Sequence, residues 1–186
     1  YLVSEHSPGT DLHTVFTAMD GNGRRRLASQ FGQYLGELHD AFQFDGCGTL
    51  TLVSDTTNQL DGEEAETRGP AEFPLVSPAT DCREWLREYG LAAVERRPPA
   101  FDDIRDQLVT CLRTGGGDGG VVSLCPWDLR PGNALVADGD VTALVDWEGP
   151  LAAPVGLSVA KVEYLVADWY VENPAPLRAA FRDGYC

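Results

Sequence analysis

Residues 125–133 read Cys-Pro-Trp-Asp-Leu-Arg-Pro-Gly-Asn, and residues 145–148 read Val-Asp-Trp-Glu. Between these two stretches, the apolar runs 134–136 and 141–145 are joined by Asp138-Gly139-Asp140. An Asp-Gly pair between apolar runs is a strong signal for a tight β-hairpin turn. The segment between the quoted stretches is therefore predicted to form two antiparallel strands.

Three oxygen-bearing side chains should meet at the open end of this hairpin. Because an antiparallel hairpin brings its two ends together, we expect Asn133 and Asp146 to lie side by side. Asp128, on the loop just before the hairpin, can approach the same point. Two carboxylates and an amide suit Mg²⁺, which binds one or two carboxylates together with phosphate oxygens and water. A metal clamp for phosphate and a carboxylate for an incoming hydroxyl are the parts that phosphoryl transfer requires.

Turn chemistry is the competing interpretation of these aspartates. Asp128 alone would be interpreted as a loop residue that caps a turn, and only its spacing from the other two side chains favours a functional role. For Asp138 and Asp140, the hairpin turn is a sufficient explanation, because Asp is a common turn residue.

The two stretches resemble the catalytic loop and metal-binding hairpin of the aminoglycoside phosphotransferase family, within the protein-kinase-like fold. The family pattern is approximately H-G-D-x-x-x-x-N, followed by a strand pair and I-D-W/F-E, and the interval from Asp128 to Asn133 matches it. The segment Tyr1–Gly9 resembles the hinge strand of that fold, and Leu35–His39 resembles a helix that ends in L-x-x-L-H. This resemblance covers nearly the whole chain.

The resemblance implies a role for each matching residue. Asp128 would be the catalytic base for the acceptor hydroxyl, and Asn133 and Asp146 would hold Mg²⁺ on the nucleotide phosphates. Glu5 and His6 would offer backbone groups to the adenine of ATP. The implied reaction transfers the γ-phosphate of ATP to a hydroxyl of a small molecule such as an aminoglycoside, a sugar, an amino alcohol or a similar metabolite.

The resemblance also implies an architecture. We expect a mainly helical α+β fold, the C-terminal lobe of the protein-kinase-like fold, with short β-hairpins at the active-site edge. Residues 1–9 would be the hinge strand and linker, and 10–186 the lobe, with its catalytic loop at 125–133 and its metal-binding hairpin at 134–148. The only lysine, Lys161, falls in a predicted helix, so no residue here matches the strand lysine of kinase-type folds. We therefore expect the N-terminal lobe to lie upstream of this chain.

Two further departures from the family pattern keep another function open. Pro126 stands where the family has a histidine, and Ser158 stands where a D-L-A motif has its aspartate. A catalytically degenerate kinase-like protein that binds nucleotide or a partner is therefore the alternative, and a metal-dependent phosphohydrolase is a weaker one.

Apolar periodicity predicts several helices. The spacing between Arg24 and Phe42 predicts one helix, on which His39 is interpreted as structural, and another is predicted from about Ser158 to Val171. Asp81 with Glu84 resembles a capping box at a helix start. A helix after Pro98-Pro99 should bury a stripe that comprises Phe101, Ile104, Leu108 and Leu112.

The charge balance excludes some partners. The chain has 186 residues with 14 Lys and Arg against 29 Asp and Glu, a formal net charge of −15. Such a chain is a poor partner for nucleic acid, whose phosphates require positive patches. Abundant acid with almost no lysine favours a salt-adapted, halophilic protein, because salt screens acidic self-repulsion.

The cysteines and the hydropathy bear on the compartment. Five cysteines, an odd number without a C-x-x-C pair, argue against a disulfide framework or a zinc site, and we expect a reducing cytoplasm. No apolar run is long enough to span a membrane, so no membrane partner is expected.

Overall fold

The computed structural model describes residues 7–52, 75–76, 81–115, 120–168 and 170–186, with only the backbone at 51–52 and 75–76. The helices are α1 (Leu12–Val15), α2 (Gly21–Ala41), α3 (Cys82–Glu95), α4 (Asp102–Thr114), α5 (Val155–Glu163) and α6 (Ala175–Tyr185). The strands are β1 (Thr10–Asp11), β2 (Gly48–Thr49), β3 (Thr51–Leu52), β4 (Leu75–Val76), β5 (Val122–Cys125), β6 (Ala134–Ala137), β7 (Asp140–Leu144) and β8 (Leu151–Pro154). Long helices with small antiparallel sheets confirm the expected mainly helical α+β class.

The chain divides into two compact units. Unit 1 comprises residues 1–41, 126–150 and 156–186, and unit 2 comprises residues 42–125 and 151–155. Both quoted stretches except Cys125 fall in unit 1. The predicted boundary at residue 9 and the upstream lobe stay predictions.

Unit 1 is built around the close packing of α2 against α6. Apolar residues at helical spacing, such as Leu27, Phe31 and Leu35 on α2, are fully buried, and so is Phe181 on α6. The two backbones approach so closely that a β-carbon on Gly32 would lie 2.0 Å from the carbonyl oxygen of Phe181. Only glycine permits that contact, so the predicted 24–42 helix is confirmed, with a packing requirement that periodicity does not reveal.

The predicted hairpin is formed by β6 and β7. Ala137 pairs with Asp140 across a two-residue turn, and the turn residues Asp138 and Gly139 have φ of 54° and 84°. Two positive φ values are the mark of a type I′ turn, which matches the natural twist of a hairpin. From α2, Arg26 donates to both carboxylate oxygens of Asp140, at 2.6 and 2.7 Å. The hairpin is therefore tied to α2 at its turn end, away from Asn133.

Unit 2 contains two small sheets and a disulfide. One sheet has the order β2-β8-β5, all antiparallel, and the other is the antiparallel pair β3-β4. The central strand β8 is not predicted, because Gly149-Pro150 before it and Pro154 within it are strand-breaking residues.

The expectation of reduced cysteines throughout is wrong. Cys47 and Cys82 form a disulfide across 35 positions of sequence, and Cys111, Cys125 and Cys186 are not disulfide-bonded. The sequence argument counted cysteines and short spacings, and neither can show that two distant positions meet in space. Because the expected reducing compartment depended on that argument, cytoplasmic location stays a prediction.

The helices α3 and α4 confirm one prediction and correct another. Asp81 caps α3, since its side chain accepts a hydrogen bond of 2.9 Å from the backbone N–H of Glu84. The buried stripe on α4 is wrong, because no residue of α4 is buried and Phe101 and Ile104 are 39% and 43% exposed. Within unit 2, α4 packs along the single helix α3, so its apolar side is only partly covered.

The C-terminal helices begin earlier than predicted. The helix expected from Ser158 begins at Val155, as α5, and continues as the π-helical turn Tyr164–Asp168. Ser158 is fully buried and its hydroxyl bonds the Nε2 of His39 at 3.1 Å, while the Nδ1 of His39 bonds the Tyr185 hydroxyl at 2.8 Å. This contact confirms the structural interpretation of His39.

Some predictions fall on residues outside the described ranges. They are the adenine contacts expected of Glu5 and His6 and the first six residues of the expected hinge segment Tyr1–Gly9. Among the described residues, no helix combines the length and the apolar character needed to cross a bilayer.

Candidate active site

The loop between β5 and β6 holds Asp128 against Asn133. The residues Pro131–Asn133 form a 3₁₀ turn, which brings the Asn133 amide back over the loop. Its Nδ2 donates to the backbone oxygen of Asp128 at 2.9 Å and to the Oδ2 of Asp128 at 3.0 Å. Asn133 is only 6% exposed, so its amide is held in place over the loop. The five-residue interval of the D-x-x-x-x-N pattern is the one that lets this amide bond Asp128.

A second donor reaches the same carboxylate from Arg130. The Nε of Arg130 donates to the Oδ2 of Asp128 at 2.9 Å. This bond is the largest cause that raises the pKa of the Arg130 guanidinium. The pKa of the nearby Tyr170 hydroxyl is raised by burial and lowered in part by the charge of Arg130.

The open end of the hairpin, opposite its turn, places Asp146 beside this loop. The N–H of Val145 donates to the carbonyl oxygen of Asn133 at 2.9 Å, so the ladder reaches the residue just before Asp146. Asp146 itself has φ of 63°, a left-handed conformation that is uncommon outside glycine and concentrates at functional sites. Trp147 braces the end of the hairpin by donating from Nε1 to the Leu144 carbonyl at 3.1 Å.

Asp128 and Asp146 line one open cleft in unit 1. The cleft has a volume of about 510 Å³, and its lining comprises Trp127, Asp128, Asp146, Glu148 and Gly149. Asp146 and Glu148 are exposed, and the side chain of Asp128 is 38% exposed, so the carboxylates are accessible to a ligand. The predicted convergence of the loop that carries Asp128 and the end of the hairpin is therefore observed.

The donor set at this cleft fits a hard divalent cation. The Asn133 amide nitrogen is used by Asp128, and no described residue bonds its Oδ1 or the Asp146 carboxylate. An amide oxygen and a carboxylate without protein donors are suitable Mg²⁺ ligands. Within the described ranges, no group of three His, Cys, Asp or Glu side chains is arranged for metal binding.

Two residues beside the site were not singled out from the sequence. Arg130 lies within the motif, and its position two residues after Asp128 was the available signal. Lys161 projects from α5 so that its Nζ is 4.0 Å from the ring centroid of Trp127. Nothing in the sequence pattern joins these two, because α5 and the loop are brought together only by the fold.

A family model described as "Phosphotransferase enzyme family" matches residues 1–186. The chain belongs to the phosphotransferase enzyme family. This confirms the resemblance to the aminoglycoside phosphotransferases. No curated protein sequence matches the chain.

Among solved structures, a similar one is the apoenzyme of the macrolide 2′-phosphotransferase MphH from Brachybacterium faecium. The identity is 21% and the TM-score 0.45, over 85% of this chain and 43% of that one. This phosphotransferase-family chain therefore spans less than half the length of the structure that it matches. The candidate residues Glu5 and His6 lie outside the described residues, so their predicted adenine contacts stay predictions.

Proposed function

We propose that this chain carries the catalytic base and the metal ligands of an ATP-dependent small-molecule kinase. The proposal depends on one observation above all: Asp128 and Asp146 line the same cleft, at the end of a loop and a hairpin that hydrogen-bond each other. Membership of the phosphotransferase enzyme family supports the reaction class. ATP, Mg²⁺ and the hydroxyl acceptor are parts of the proposal.

In the proposed reaction, Asp128 orients the acceptor hydroxyl and accepts its proton. The acceptor oxygen forms a bond to the γ-phosphorus while the bond from that phosphorus to the β–γ bridging oxygen breaks, and ADP leaves. Asn133 and Asp146 would hold Mg²⁺, which neutralises charge on the phosphate oxygens when it is bound. Cationic groups from elsewhere in the whole protein complete the phosphate site in this proposal, because three carboxylates already line the cleft.

The test compares the same substitution at two aspartates, Asp128 at the cleft and Asp138 in the hairpin turn. In the whole protein that contains this chain, we expect Asp128→Asn to lower acceptor-stimulated ADP formation with Mg²⁺-ATP by about 10²- to 10⁴-fold, the contribution typical of a general base. Asp138→Asn is the matched control, because Asp138 lies in the hairpin turn and Asn tolerates its positive φ. The assay uses molar KCl and a panel of alcohols, sugars and amino alcohols.

Each outcome selects one function. Unchanged turnover in Asp128→Asn contradicts the proposed base. Nucleotide binding without turnover on any acceptor favours the catalytically degenerate alternative, which Pro126 and Ser158 motivate. Phosphate release that needs no acceptor favours a phosphohydrolase.

A further inference from the structure

We propose that Arg130 is the positioning residue that fixes which oxygen of Asp128 receives the acceptor proton. This inference deepens the proposed function and depends on it. The role assigned to Arg130 is to orient the Asp128 carboxylate, without touching the acceptor or the nucleotide.

The evidence begins with the two oxygens of the Asp128 carboxylate. The Nε of Arg130 and the Nδ2 of Asn133 both donate to Oδ2, at 2.9 and 3.0 Å. Among the described residues, no side chain or backbone group donates to Oδ1. Two donors on one oxygen prevent the carboxylate from rotating freely, so Oδ1 is left as the oxygen that can accept a hydroxyl proton from the cleft.

Arg130 is itself held in place from the other side. Its guanidinium and the Tyr170 hydroxyl lie beside the same residue, Gly132, since a β-carbon there would be 3.1 Å from Nη1 of Arg130 and 3.5 Å from the Tyr170 hydroxyl oxygen. That hydroxyl lies 3.1 Å from the Nδ1 of His13, and the Tyr170 ring packs edge-on against the buried ring of Phe16, with centroids 5.3 Å apart. An anchored aromatic neighbour limits the space open to the Arg130 side chain, and its planar guanidinium loses less freedom on bonding than a flexible ammonium would.

Pro126, two residues before Asp128, cannot supply the same support. Pro126 has neither a backbone N–H nor a polar side chain, so it offers Asp128 no hydrogen bond. The brace on the carboxylate therefore comes from residues after Asp128, and Arg130 is the charged one. Both bonds are made to a carboxylate and are charge-assisted, and only the bond from Arg130 also joins two opposite charges.

The experiment uses the whole protein and measures kcat and KM separately. We expect Arg130→Met, which removes the donors and keeps an unbranched side chain, to lower kcat by about 10²-fold, the cost of a misplaced catalytic group, with KM for ATP little changed. Arg130→Lys should recover part of kcat, and added guanidinium should raise kcat of Arg130→Ala. Arg87→Met is the control, because Arg87 makes an exposed ion pair with Glu84 on α3.

Three results would separate the two proposals. If Asp128→Asn is inactive while Arg130→Met keeps its kcat, or loses only affinity for ATP, the positioning role is overturned and the proposed base stands. If Asp128→Asn stays active, the proposed function itself fails. If Arg130→Met does not fold, as judged by its thermal midpoint, Arg130→Lys and Tyr170→Phe take its place, and kcat unchanged in both would overturn the inference.

Discussion

At the scale of single residues, Asp146 has a backbone conformation that the sequence motif does not predict. The sequence places it beside Asn133, and the structure agrees. The motif does not show that the backbone of Asp146 is left-handed, with φ of 63°. A non-glycine residue in that region costs about 1–2 kcal/mol. The contacts of the surrounding hairpin must supply that energy, at the point where the ladder of β6 and β7 ends.

The disulfide also belongs to this scale, since two side chains decide it. We expect denatured, unreduced protein to show three reactive thiols, from Cys111, Cys125 and Cys186, and reduced protein to show all five. Replacing Cys47 and Cys82 by serine should lower the free energy of unfolding by about 4 kcal/mol on the chain-entropy argument, given their separation of 35 positions. Thiol titration and chemical denaturation measure the two effects. Five reactive thiols without reductant would contradict the pairing.

Several site residues could be predicted and others could not, for a physical reason. Asp128, Asn133 and Asp146 are close in sequence, and a hairpin with a recognisable turn brings them together, so local rules are sufficient. Lys161 and Tyr170 reach the catalytic loop only through the packing of distant helices. No local pattern records such contacts, which is why both were missed.

At the scale of elements, the crossing of α2 and α6 is the most demanding contact. A β-carbon at Gly32 would lie 2.0 Å from the Phe181 carbonyl oxygen, and one at Gly184 would lie 2.0 Å from the Ser29 carbonyl oxygen. Both neighbours are backbone atoms, so neither can rotate away. The two helices would have to separate to admit even one methyl group.

We expect Gly32→Ala and Gly184→Ala each to lower the free energy of unfolding by about 1–3 kcal/mol or more, the range for overpacking. Gly156→Ala is the matched control, because a β-carbon added to this residue of α5 would meet no heavy atom within 4 Å. There, alanine should be neutral or stabilise by up to about 1 kcal/mol, since glycine is a poor helix former. Urea denaturation distinguishes the pair, and equal stability of Gly32→Ala and wild type would contradict the close crossing.

Element boundaries followed sequence signals where those signals are local. The Asp81 cap and the Asp138-Gly139 turn fall where predicted, because each is a short-range hydrogen-bonding motif. The strand β8 and the exposure of α4 were not predicted, since both depend on what packs beside them. Apolar spacing shows which face of α4 would be buried, without showing whether anything large enough covers it.

At the scale of the whole molecule, the formal charge of −15 should govern the response to salt. We expect the thermal midpoint of unfolding to rise as KCl goes from about 0.1 M to about 1 M, because the screening length falls from about 10 Å to about 3 Å. Sucrose at matched osmolality is the control, since it strengthens burial without screening charge. A midpoint that rises no more in KCl than in sucrose would contradict salt adaptation.

The interleaving of the two units has a consequence for any shortened version of this protein. Joining residue 41 directly to residue 126 would remove residues 42–125 of unit 2. Strand β8 (Leu151–Pro154), which also belongs to unit 2, would remain behind. That strand is the centre of its sheet, between β2 and β5. Without β2 and β5, the backbone groups on both edges of β8 would have no strand partner. Such unpaired edges invite edge-to-edge association with other chains. The second unit is thus an insertion that the chain re-enters, and it can be deleted cleanly only with a second cut after the candidate active site.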